Sequence, residues 1–109
     1  MQIEAVKHDD NKARFDLIPP GPLYELAMIY TAGAKKYSDR NWEKGLRWGR
    51  VFAAIMRHLW SWWGGERNDP EDGLSHLAHA GWGIFALLEY EKTHPDMDDR
   101  QKGGDVANN

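Results

Sequence analysis

A chain of 109 residues with a formal net charge of −3 holds one domain at most and lacks the dense basic surface that duplex nucleic acid demands. The absence of cysteine excludes disulfides, thiolate catalysis and cysteine-ligated zinc, and it fits a reducing compartment. No apolar core follows Met1–Lys7 as in a secretion signal, and no run approaches the ~18 apolar residues of a bilayer span, so a cytoplasmic protein without a membrane partner is expected.

From the amino terminus, residues 1–19 read as a polar, then extended arm in which Arg14-Phe15-Asp16-Leu17-Ile18 alternates. The cluster Pro19-Pro20-Gly21-Pro22 closes it, because the residue before a proline is pushed out of the α region. Leu23, Leu26, Ala27, Tyr30 and Ala34 then recur at three- and four-residue steps, which predicts a helix over about residues 22–37. A polar, basic connector follows to Gly45. Val51, Ile55, His58 and Trp62 share one face of a second helix over about 48–63, stopped by Gly64-Gly65. Asp69-Pro70-Glu71-Asp72 reads as a helix start, with Asp69 as N-cap and acids in the first turn. The third helix, to about residue 92, is apolar nearly all round and is placed at the centre, packed on two sides. Residues 94–109 have too few apolar side chains to repay ordering entropy and read as a disordered tail. The fold expected is therefore all-α: a bundle of three to four helices in one domain over 1–93, with an extended arm before it. Six tryptophans are more aromatic mass than so small a bundle encloses, and a homo-oligomer is expected.

Three histidines stand inside the most apolar stretch. His76 and His79, three apart, lie within about 60° on one helix face, and the short hinge turns His58 of the preceding helix toward them. The hinge itself, Glu66-Arg67-Asn68-Asp69-Pro70-Glu71-Asp72, is acidic. Neutral imidazoles with carboxylates form a shell for Mn, Fe, Co, Ni or Zn more readily than for Mg or Ca. His58, His76, His79 and Glu66 are the candidate ligands, and Glu66 or Asp69 the candidate general base. The plainer reading makes the histidines satisfied core residues and the hinge acids helix-cap and dipole chemistry. Lys35, Lys36 and Arg40 stand beside Tyr37, Asn41 and Trp42, which supplies cations for phosphates, faces for a base and an amide for a base edge. Lys12 and Arg14 form a second basic pair in the arm. A solvated loop accounts for the same residues without a ligand. P-loop, GxGxxG, nucleophile elbow and HExxH are all absent, so hydrolysis would rest on a metal-activated water rather than a covalent intermediate.

Several strings together resemble a small phage-encoded family: Lys12-Ala13-Arg14-Phe15-Asp16-Leu17-Ile18-Pro19-Pro20, Gly33 to Gly45 with its Arg40-Asn41-Trp42-Glu43-Lys44-Gly45 core, Arg57-His58-Leu59-Trp60, and Asp69 to Ala80 with His76-Leu77-Ala78-His79-Ala80. The family is the dATP/dGTP diphosphohydrolase N-terminal-type domain, matched in order over about residues 8–92. The resemblance implies a helical domain in the host cytoplasm that takes a purine deoxynucleoside triphosphate to its monophosphate, releasing diphosphate. It also implies distant kinship with MazG-like pyrophosphohydrolases, which are oligomeric and metal-dependent. Those enzymes hold Mg on ExxE and ExxD helices, and this chain has neither. The segment around His58 stands in place of the first motif and His76–His79 in place of the second. The ExxD here, Glu66 to Asp69, falls in the hinge. The divalent ion expected is thus Mn, Co, Ni, Zn or Mg, with a transition metal favoured. A module that binds or sequesters a nucleotide without cleaving it, and a purely structural oligomer with core histidines, are the competing readings.

Overall fold

A computed structural model describes residues 3–101. Three helices carry the fold: α1 (Pro20–Lys36), α2 (Trp48–Trp63) and α3 (His76–Thr93), with single 3-10 turns at Phe15–Leu17, Asn41–Lys44 and Pro95–Met97. Among the described residues the only β pairing is one isolated bridge, Asn68 to Ser75, so the architecture is all-α. Among the described residues no helix is long and apolar enough to cross a membrane.

Helix α3 is the central element and packs against α2 and α1. The seam with α2 is tight because Gly83 faces Ile55. A Cβ at position 83 would lie 2.5 Å from the Ile55 Cγ1, closer than carbon atoms tolerate. Val51, Ile55, Ala80, Ala86 and Tyr90 fill this seam and are buried, as the three- and four-residue spacing of α2 predicts. Helix α1 starts at Pro20, two residues earlier than expected. Prolines at 20 and 22 fit its first turn, where a missing N–H costs nothing.

Four expectations need correction. Arg14–Ile18 is not a continuous extended run. Residues 15–17 wind into one 3-10 turn closed by the Ile18 amide on the Phe15 carbonyl, and Phe15 and Leu17 stay exposed. Helix α3 does not begin at Pro70. Asp69 Oδ1 accepts the Glu71 amide at 2.9 Å and Asp72 Oδ1 the Leu74 amide at 2.9 Å, so both acids spend their side chains on local turns that compete with helix. Gly73 then takes a left-handed φ of 74°, and Ser75 is the N-cap, its hydroxyl accepting the Ala78 amide at 3.1 Å. The connector is not simply solvated. Trp42 sits half-buried in an aromatic cluster with Tyr30, Trp82 and Tyr90, and its carbonyl accepts the Tyr90 hydroxyl. Finally, the chain does not leave the bundle at residue 94. His94 Nε2 donates to the Glu43 carbonyl, its own carbonyl accepts from Trp48 Nε1, Met97 packs on the core, and Asp99 accepts the Gly49 amide at 2.8 Å. The expected tail from 102 onward lies outside the described residues.

Candidate metal centre

At the far end of the α2/α3 pair the loop 66–75 folds back over two helix faces. The Asp69 amide donates to the Leu74 carbonyl at 2.8 Å and the His76 amide to the Arg67 carbonyl at 2.9 Å, which fixes the acids above the first turn of α3. The loop is tied to α1 by the ion pairs Arg67–Glu25 at 3.0 Å and Lys36–Glu71 at 3.7 Å. Both pairs are exposed and screened by solvent, so the backbone bonds are the stronger constraint.

Beneath this loop the three imidazoles meet. His58 and His79 stack with ring centroids 4.4 Å apart and planes 2° from parallel. His58 Nδ1 lies 2.9 Å from His76 Nδ1. His76 is buried, 4% exposed, and its Nε2 lies 2.7 Å from Glu66 Oε1. His79 Nε2 lies 2.8 Å from Asp72 Oδ2. Each carboxylate accepts the outer N–H of its imidazole, and that fixes the tautomer: the lone pair of His76 and of His79 then sits on Nδ1. Burial, with His79 and His76 adding their own repulsion, pulls the His58 imidazole below its ordinary value, against the opposing pull of Asp69. The ring is held neutral, the form that ligates metals.

Two groups of donors lie close enough to share an ion. One is His58, Asp69 and His76, the other Asp69, Asp72 and His79, in each case with the atoms within 4.8 Å of one another. Asp69 belongs to both. Mixed nitrogen and carboxylate donors of this kind suit a first-row transition ion, and His58 and His76 bring two ring nitrogens within 2.9 Å of one another. The residues present therefore fit a divalent cation.

Of the residues singled out in the sequence, His58, His76, His79 and Asp69 come together. Glu66, expected both as ligand and as base, lies outside both donor groups, its carboxylate bound to the outer nitrogen of His76. Asp72, explained from sequence as helix-cap chemistry, is among the donors. The signal for it was Gly73-Leu74-Ser75, which offers a left-handed stop and a better N-cap and so leaves Asp72 in a loop. Lys36 reaches the site's rim through Glu71, with its ammonium 5.4 Å from the Tyr37 ring. Lys35, Tyr37 and Arg40 are exposed, Arg40 pairing with Glu43. Asn41 is half-buried in the 3-10 turn. The aromatic cluster holds the Trp42 ring and leaves it half-buried. Lys12 and Arg14 stay in the arm, where Arg14 binds Asp16 at 2.6 Å, and no contact links either to the histidines.

A small helical domain with a His/carboxylate centre under a strapped loop is the class that these observations define. The family model described as "dATP/dGTP diphosphohydrolase, N-terminal" matches residues 3–100, and the chain belongs to that family. A protein of Salmonella phage PMBT28 named dATP/dGTP diphosphohydrolase is 34% identical over 96 residues, 88% of this chain and 33% of the relative. The chain thus spans about a third of that relative's length. No solved structure matches.

Proposed function

We propose that this chain is a metal-dependent deoxynucleoside triphosphate diphosphohydrolase that converts dATP or dGTP to the monophosphate and diphosphate. The observation that carries the reading is the meeting of His58, His76 and His79 with Asp69 and Asp72 in a family whose phage relative bears that activity as its name. His58, His76, Asp69, Asp72 and His79 would hold one or two divalent ions, Mn or Co before Mg. A bound ion supplies charge to the phosphate oxygens and acidifies water. Glu66 holds the His76 ring in the tautomer that presents Nδ1 inward. A loop carboxylate not itself bound to the ion would accept the proton of the attacking water. Lys36 neutralises the outer phosphates from the loop's edge, with Lys35 and Arg40 further along the same connector.

The working unit is a homo-oligomer. Helix α2 leaves Phe52 and Trp60 exposed, and α3 leaves Leu77, Ile84 and Leu88 exposed. Burying one such side chain contributes about 1.5–3 kcal/mol. A second copy meets this two-helix layer with its own to make a four-helix arrangement, the closure that an isologous contact provides.

The test is turnover: purified protein with Mn or Co converts dGTP or dATP to monophosphate plus diphosphate, and an elemental scan finds bound transition metal. Folded protein that turns over no nucleotide with any divalent ion would end the proposal. A second reading, nucleotide sequestration without cleavage, is favoured by the absence of helical carboxylates on α2 and α3 at the centre. Calorimetric saturation by a nucleotide recovered intact selects it.

A further inference from the structure

The proposed reaction needs a seat for the base, and the Trp42 ring is half-buried in the aromatic cluster. Just past the C-terminal turn of α2, a cleft of about 340 Å³ is lined by Trp62, Trp63, Gly65 and Arg67. Its volume is at the lower end of the roughly 300–1,000 Å³ typical of small-molecule sites, enough for a base and part of a sugar. Both indoles are exposed, Trp63 by 73%. Gly65 takes a left-handed φ of 104°, and a Cβ built on it meets nothing within 4 Å. The chain turns there without closing the cleft.

The cleft's address is what gives it meaning. Trp62 lies one helical turn beyond His58, about 6 Å along α2. Arg67 follows Glu66 directly, and its Cα lies within about 8 Å of that of Asp69, two peptide units on. The Arg67 carbonyl holds the His76 amide. The guanidinium is aimed by Glu25 of α1 at 3.0 Å and by Asn68 at 2.7 Å, and it retains further donors of its planar fork.

Resting on the reading above, we infer that the Trp62–Trp63–Arg67 cleft is the nucleobase subsite and that it favours guanine. An indole gives any base a face to stack on, and an arginine fork matches the adjacent O6 and N7 acceptors of guanine, whereas adenine offers N7 beside an amino donor. The α-phosphate then lies at the histidine centre, with the outer phosphates beyond it toward Lys36. Glu25 is a positioning residue that acts through Arg67.

The test is binding of dGTP, dATP and inorganic triphosphate to the full chain with Mn, in wild type, Trp63→Ala, Trp63→Phe and Arg67→Ala, with sedimentation and circular dichroism run alongside. Trp63→Ala weakens dGTP about tenfold and Trp63→Phe restores most of it. Arg67→Ala weakens dGTP about tenfold and dATP less. Inorganic triphosphate, which has no base, binds all four proteins within about twofold. Equal loss of triphosphate and dGTP places the damage at the metal centre and overturns the subsite. So does unchanged dGTP affinity in Trp63→Ala accompanied by a change in oligomer size, which assigns the indoles to subunit contact. Wild-type protein that binds triphosphate but discriminates no base sinks the subsite while leaving the metal reading intact. Protein that binds neither ligand sinks both.

Discussion

At the α2 N-terminal end of the helix pair, His94 spends its Nε2 on the Glu43 carbonyl and leans on the Tyr90 ring. At the opposite end, His58, His76 and His79 turn their nitrogens toward one another and toward carboxylates. One end is an aromatic clasp whose main hydrogen bonds run to backbone groups, the Glu43, Trp42 and His94 carbonyls and the Gly49 amide. The other gathers three ring side chains and their carboxylate partners into one cluster, bonded to one another rather than to the backbone. A histidine alone therefore says little. The class of atom its ring nitrogen faces separates a fastening from a ligand.

The sharpest way to break that contrast is to remove a ring from each end. His76→Ala lowers metal affinity, and with it dGTP turnover in Mn, by more than the roughly 10–100-fold that loss of an outer-shell partner costs. His94→Gln leaves turnover near wild type and lowers the melting temperature. Equal effects on turnover would erase the distinction. The seam that joins the two ends is next. Gly83→Ala pushes a methyl into Ile55, and overpacking of that kind costs typically 1–3 kcal/mol, readable as a lower urea midpoint with the slope unchanged. Glu66→Gln keeps the shape but weakens the anchor of the His76 tautomer, and metal affinity falls about tenfold at the gentle end of outer-shell effects. A drop matching that of His76→Ala would instead make Glu66 a direct ligand.

The three helices were legible because their apolar spacing is local. The meeting of the histidines followed from it, since a short hinge forces α2 and α3 to lie antiparallel. The loop was misread because Asp69 and Asp72 serve turns with the same side-chain bonds that would have capped a helix, and only Gly73 and Ser75 distinguish the two. The clasp was invisible for another reason. Trp42 in a basic, polar connector has the composition of a ligand platform, and its partial burial depends on Tyr90, 48 residues away. Residues 94–101 likewise have little apolar content, and they are held by single bonds to partners in Glu43, Trp48 and Gly49 that no local pattern records.

The smallest effect tests whether the clasp is merely structural. Tyr90 is fully buried and donates to the Trp42 carbonyl, and burial pushes its phenol up from the ordinary value, so the hydroxyl stays protonated and donating at neutral pH. Tyr90→Phe keeps the ring and deletes one hydrogen bond, leaving a half-buried carbonyl short of a partner at a cost of about 1 kcal/mol. Stability falls by that amount in chemical denaturation, while Mn affinity and dGTP turnover stay at wild-type values, because α2 and α3 remain fixed by the Gly83–Ile55 seam between the clasp and the histidines. A loss of turnover here would mean that the connector helps set the geometry of the histidine cluster, and the two ends of the molecule would then have to be treated as one.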